Sequence, residues 1–129
     1  MAIMDIIARK ADFDRNGFVI LRQFLSPSDL HELEQNLERY VREVVPDLAD
    51  ADAFYQDRSR PDTLKQLQHM GRDPFFDSYR NRPRWVALAE SLLGEPAMAD
   101  EPEWFNKPPG TVHVTPPHQD NYYFCLAPR

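Results

Sequence analysis

Two side chains near the end of the sequence, His118 and Asp120, have the types and the spacing of metal ligands. Successive side chains of a β-strand point to opposite faces, so residues two apart project to the same side. An imidazole and a carboxylate on one side, joined by ligands from elsewhere, suit a non-haem iron site of the two-His-one-carboxylate type. The pattern therefore predicts a metal centre at His118 and Asp120.

The neighbouring sequence favours this interpretation over a surface histidine that merely lies beside a carboxylate. Pro116-Pro117 forces extended backbone immediately before the pair, and residues 122–126 are typical of a strand. His113 lies five residues before His118, so a compact triad of His113, His118 and Asp120 is an alternative, and it would make a different metal enzyme.

The composition indicates one globular domain. The chain has 129 residues, of which 42% are hydrophobic, and 15 basic against 21 acidic residues give a net charge of −6. Because nucleic-acid affinity comes mostly from neutralising phosphates, this charge argues against a general nucleic-acid binder. One basic cluster is interleaved with acidic residues, and we interpret it as a solvated face; its members are Arg72, Arg80, Arg82 and Arg84.

The cysteine content and the lengths of the apolar runs exclude several classes of protein. Cys125 is the single cysteine, so an intramolecular disulfide and a cysteine-based zinc site are both excluded. The N-terminal residues 1–10 lack the pattern of a signal peptide, and no apolar stretch is long enough to span a bilayer. We expect a cytoplasmic protein that makes no membrane contact.

Helix signals are clearest in the first two thirds of the chain. Residues 3–12 predict a short helix, and Ser26-Pro27-Ser28-Asp29 is a capping box that starts a long amphipathic helix ending before Pro46. Residues 83–93 predict a further helix, which Gly94 ends.

Strand signals are weaker. Residues 18–21 predict a buried strand and residues 53–55 a brief one, whereas 63–70 are ambiguous between strand and helix. Residues 97–106 are expected to be extended. Helices would then come first and strands last, which is typical of an α+β fold.

Three segments together carry a family pattern. The first is Gly17 to Leu21, continued by Phe24-Leu25-Ser26 and the long helix. The second is Leu88 to Gly94. The third is Asn106-Lys107-Pro108-Pro109-Gly110, followed by His118-Gln119-Asp120-Asn121-Tyr122-Tyr123-Phe124. In combination they resemble the phytanoyl-CoA dioxygenase (PhyH) family of Fe(II)- and 2-oxoglutarate-dependent oxygenases.

The resemblance implies a fold and a chemistry. The family fold is a double-stranded β-helix, a jelly-roll or cupin-like barrel with helices packed outside. His118 and Asp120 match the first two ligands of the family's iron, and Asn106 falls where relatives bind 2-oxoglutarate, since an amide donates to a carboxylate without adding charge. Asp120 favours hydroxylation over halogenation, because halogenating relatives carry a small residue there. The expected substrate is a small molecule.

The chain departs from the family pattern downstream. The family's distal His ligand and its 2-oxoglutarate-binding Arg would lie beyond Arg129. We therefore expect an N-terminal portion of an oxygenase that is inactive alone. It would be a single domain over 1–129, mainly helical at 1–95, with the first strands of an incomplete barrel and the metal motif at 96–129. Open sheet edges are an aggregation liability, so a homodimer or strand exchange should cover them.

One further alternative remains open beside the truncated hydroxylase and the compact triad. A degenerate or partner-completed oxygenase half would serve as a non-catalytic module, and its metal affinity would not depend on Asp120.

Overall fold

The computed structural model describes residues 3–112 and 114–120, with side chains described from residue 9 onward. Four α-helices and three β-strands, joined by turns, make up these residues, and the architecture is α+β as expected. Within the described part of the chain, no helix has the length and apolarity needed to cross a membrane.

The predicted helices are present, and the first extends four residues beyond its expected end at residue 12. They are α1 (Ile3–Asn16), α2 (Pro27–Glu43), α3 (Pro74–Arg80) and α4 (Pro83–Leu93). At the start of α2, Ser26 Oγ accepts a hydrogen bond from the backbone N–H of Asp29 at 3.1 Å. The Asp29 carboxylate accepts one from the Ser26 backbone N–H, also at 3.1 Å, which completes the predicted capping box. Gly94, at a φ of 80°, ends α4 in the left-handed conformation that glycine adopts easily.

The strands form one antiparallel sheet in the order β1-β2-β3. They are β1 (Ala53–Tyr55), β2 (Leu64–Leu67) and β3 (Trp104–Phe105). β1 is confirmed, and β2 resolves the ambiguous segment as a strand. Gln66 pairs with Phe54 but Leu64 pairs with Tyr55, so Lys65 is an extra residue in a β-bulge. The bulge turns both ends of β2, Leu64 and Leu67, into the core.

The core lies between α2, the inner face of the sheet and α3. Its buried members are Tyr40, Val45, Ala53, Leu64, Leu67, Met70 and Phe76. The Tyr40 and Phe76 rings meet edge to face with centroids 5.3 Å apart, which joins α2 to α3. Leu67 is fully buried at the centre. The long stripe of α2 therefore packs on a sheet, as its amphipathic pattern indicates.

Ion pairs fasten α2 to the segments around α3 and α4. Arg84 contacts Asp29 at 2.6 Å, and Arg82 contacts Glu32 at 2.8 Å. The Arg82 guanidinium also stacks 4.7 Å from the centroid of the Tyr79 ring. The predicted solvated basic face is thus a set of paired arginines, because Arg72 and Arg80 also contact carboxylates.

Two expectations about strands are wrong. Residues 18–21 form no strand, and Phe18 and Ile20 are 62% and 59% exposed. An apolar run needs a neighbouring strand to pair with, and residues 18–21 have none in the described sheet. Strands also do not follow the helices, since β1 and β2 precede α3 and pair with β3 across the chain.

Candidate functional site

His118 and Asp120 are neighbours in space. His118 Nε2 lies 3.2 Å from Asp120 Oδ1, and the two side chains are 38% and 72% exposed. The other ring nitrogen, Nδ1, lies 2.8 Å from the carbonyl oxygen of Pro116. A carbonyl oxygen only accepts, so Nδ1 is the donor in that contact, and Nε2 is the ring nitrogen on the side of the Asp120 carboxylate. Residues 114–119 are irregular, so the strand expected at this pair is not formed.

The pair lines an open cleft of about 640 Å³ on the outer face of the sheet. The lining residues come from β2, β3, their flanks and the segment that carries the pair; they are Gln66, Gln68, Glu103, Phe105, Thr115, His118 and Asp120. The wall of the cleft thus comes from residues distant in sequence from the metal motif. We call this cleft the His118 cleft.

The strand register decides which side chains reach the His118 cleft. Gln66 stands opposite Phe54 on one side and Phe105 on the other, so these three form one row across the outer face. The next row, with Leu67 and Trp104, turns inward to the core. Side-chain alternation along paired strands therefore produces the wall of the cleft.

Asn106 lies at the end of β3 but does not line the His118 cleft. Its Nδ2 donates to the carbonyl oxygen of Leu64 at 3.1 Å, and its backbone N–H donates to the carbonyl oxygen of Lys65 at 2.7 Å. Asn106 is half-buried, and because it is two residues after Trp104, its side chain lies on the same inward face of the sheet as Trp104. The structure therefore brings His118 and Asp120 together and leaves Asn106 on the other side of the sheet, where it ties β3 to β2.

His31 and His69 do not line the His118 cleft. His31 is an exposed residue of α2. His69 Nδ1 donates to Asp52 Oδ1 at 2.7 Å, and Arg72 contacts the other carboxylate oxygen at 2.7 Å. The His69 hydrogen bond, with help from Arg72, holds the pKa of the Asp52 carboxyl below its ordinary value. This cluster fastens the start of β1 to the end of β2.

Comparison with known proteins decides the family. The family model described as phytanoyl-CoA dioxygenase (PhyH) matches residues 13–129. The chain belongs to the PhyH family. Peroxisomal phytanoyl-CoA dioxygenase of Mus musculus is 27% identical over 127 residues, which is 90% of this chain and 37% of that protein. The Bos taurus protein of the same name is 24% identical over the same shares.

The chain spans 37% of the length of these PhyH relatives. No solved structure matches the chain, so the incomplete jelly-roll barrel expected from the resemblance stays a prediction. The described sheet has three strands.

The donors present fit a PhyH iron in type. Nitrogen and carboxylate oxygen are the donors that non-haem iron takes, and the contact between His118 and the Pro116 carbonyl is of the kind that would orient an imidazole toward a metal. Among residues 3–112 and 114–120, no group of three His, Cys, Asp or Glu side chains could hold a metal. A third donor therefore has to come from outside the described residues, where His113 of the alternative triad also lies.

Sequence reasoning missed the residues of β2, β3 and their flanks that line the His118 cleft. Gln66 and Gln68, like Glu103 and Phe105, stand two residues apart, which is the spacing of one strand face. That signal was present in the sequence, but the bulge at Lys65 obscured the alternation on which it depends.

Proposed function

We propose that this chain carries the His118 and Asp120 part of an Fe(II)- and 2-oxoglutarate-dependent hydroxylase site of PhyH type. The observation that supports the proposal is the placement of both ligands in one cleft, with His118 Nε2 beside the Asp120 carboxylate, in a chain of this family. Bound iron would supply the activation of O₂ for attack on a substrate C–H bond, with 2-oxoglutarate as the co-substrate.

The chain's own residues have separate roles in this proposal. The Pro116 carbonyl holds the His118 ring so that Nε2 faces the metal position, and Asp120 adds the anionic donor that favours hydroxylation over halogenation. The outer face of the sheet forms one wall of the cleft. Asn106 donates one amide N–H to the Leu64 carbonyl on the other side of the sheet from the cleft, so the role at 2-oxoglutarate that the resemblance implies for Asn106 stays a prediction that its position does not support.

Titration of the chain with Fe(II) under anaerobic conditions, followed by calorimetry, tests the ligands. We expect weak binding by the wild type, because the described residues supply two donors, and loss of binding in His118→Ala and Asp120→Ala. His31→Ala is the matched control, since it removes an exposed imidazole outside the cleft. Equal affinity in all four proteins would refute the assignment of the ligands.

A second assay addresses turnover. We propose that the chain alone is inactive, so little succinate should form from 2-oxoglutarate when Fe(II) and O₂ are present. Robust succinate production by the 129-residue chain would contradict this part of the proposal.

A non-catalytic module is the second candidate, favoured by the absence of a three-donor group among the described residues. It predicts that Asp120→Ala leaves metal affinity unchanged. Zinc binding that 2-oxoglutarate does not affect, and that His113→Ala abolishes, would instead favour the compact triad of His113, His118 and Asp120.

The assembly and the cellular site are proposals as well. β1 and β3 are edge strands of the described sheet, so a homodimer or an exchange of strands would cover their unpaired backbone groups. A monomer at micromolar concentration in light scattering would contradict this assembly. We propose a cytoplasmic location and a small-molecule substrate; the relatives are named peroxisomal, and cell fractionation distinguishes the two compartments.

A further inference from the structure

We infer that the His118 cleft takes a substrate whose polar end donates hydrogen bonds, an ammonium group above all, and that Glu103 holds it. The inference rests on the proposed function, because it names the class of substrate for that same site. It concerns the part of the cleft formed by the sheet, which is separate from the metal pair.

The wall of the cleft is rich in hydrogen-bond acceptors. Glu103 receives one hydrogen bond, from Gln66 Nε2 to its Oε2 at 3.2 Å, and no Lys or Arg of the described residues forms an ion pair with it. The second oxygen of Glu103 accepts no hydrogen bond from the described part of the chain. A carboxylate with a remaining acceptor oxygen suits an ammonium, which carries three N–H donors.

The register of the sheet places an amide beside this carboxylate. Leu67 pairs with Trp104, so the next position of the ladder brings Gln68 beside Glu103, on the same face as Gln66. The amide oxygens of Gln66 and Gln68 are additional acceptors for the hydrogens of an ammonium. Phe105, 54% exposed, offers apolar surface to the alkyl part of the same molecule.

The charge of the lining argues against an acyl-CoA end group in this cleft. Bound iron would offset the charge of Asp120, so Glu103 is the carboxylate that decides the charge of the sheet wall, and none of the seven lining residues is Lys or Arg. Coenzyme A presents anionic phosphates, which the Glu103 carboxylate repels. The relatives are named phytanoyl-CoA dioxygenases, so the lining separates the substrate of this chain from the one in their name.

A matched pair of probes tests the inference on the full 129-residue chain. n-Butylammonium and butyrate have the same alkyl length and opposite charge, and ligand-observed NMR titration measures the affinity of each. We expect the wild type to bind n-butylammonium roughly five-fold more tightly, as one nearby charge in a partly solvated cleft would produce. Glu103→Gln should abolish the preference. Glu95→Gln, which removes an exposed carboxylate outside the cleft, should keep it.

Three outcomes would overturn the inference: a preference for butyrate, equal binding of both probes at millimolar concentration, or no binding of either. A preference that survives Glu103→Gln would overturn the role of Glu103. Failure of the proposed function has a different signature, because it would appear as Fe(II) affinity that does not depend on His118 or Asp120 while the ammonium preference persists.

Discussion

Replacement of Asn106 by alanine separates its structural role from its proposed role at the co-substrate. The Asn106 side chain donates to the Leu64 carbonyl oxygen at 3.1 Å, across the junction of β2 and β3. β3 has two residues, so this bond is a large share of what holds it to the sheet. We therefore expect Asn106→Ala to destabilise the fold whether or not 2-oxoglutarate is present.

The magnitude follows from one lost hydrogen bond at a half-buried position. Such a bond contributes about 1 kcal/mol to the free energy of unfolding. For a domain of this size, that loss lowers the melting temperature by roughly 4 °C. Asn106→Asp should cost more than Asn106→Ala, because a carboxylate cannot donate to the Leu64 oxygen and repels it.

Urea unfolding followed by tryptophan fluorescence measures the effect. Lys107→Ala is the matched control, since Lys107 is exposed and makes no hydrogen bond in the described part of the chain; its change should stay within about 0.5 kcal/mol. The reasoning is refuted if Asn106→Ala unfolds at the same urea concentration as the wild type, or if Asn106→Asp is the more stable of the two variants.

Three other changes test the fold. Leu67→Ala empties the fully buried centre of the core and should lower the free energy of unfolding by about 3 kcal/mol in urea titration. Ser26→Ala removes the cap of α2 and should cost about 1 kcal/mol in the same assay. The hydrogen bonds from Arg84 hold the pKa of Asp29 far below its ordinary value, so its stabilising contribution is present above about pH 4 and is lost as the pH falls through the folded-state pKa. Asp29→Asn should accordingly be less stable than the wild type at pH 7, and the two unfolding curves should converge in acid; a constant gap down to pH 2 would contradict the pairing.

The helices could be predicted because their signals are local. Ser26 and Asp29 are three residues apart and cap the same helix turn, so the start of α2 is visible in four consecutive residues. Gly94 ends α4 because a left-handed φ costs glycine nothing. Such features depend on the chain within one turn, and the tertiary structure does not alter them.

The errors come from features that depend on distant partners. Phe18 and Ile20 lie in a run with high strand propensity, but a strand needs a neighbour, and residues 18–21 have none in the described sheet. Arg82 and Arg84 pair with Glu32 and Asp29, which are 50 and 55 residues away. Spacing along the sequence carries no signal for pairs of this kind.

In the candidate site, too, local features could be predicted from the sequence and features that depend on distant partners could not. The proximity of His118 and Asp120 agrees with their spacing, since they lie 3.2 Å apart although no strand carries them, whereas their role as metal ligands stays a prediction. The position of Asn106 could not be predicted from the sequence, because the face of the sheet on which its side chain lies depends on the pairing of β3 with β2. Side-chain alternation from Trp104 predicts that Asn106 faces inward only once β3 is known to be a strand.

The bulge at Lys65 links the fold to the proposed selectivity. Leu64 and Leu67 are three residues apart, and a regular strand would direct them to opposite faces, which is why the segment is ambiguous in sequence. With the extra residue, both leucines reach the core and Gln66 turns to the outer face. Deletion of Lys65 would leave Leu64, Gln66 and Leu67 in regular alternation, so both leucines would still face the core and Gln66 the outer face. We therefore expect this deletion to keep the ammonium preference and to lose only the hydrogen bond from the Asn106 backbone N–H to the Lys65 carbonyl oxygen.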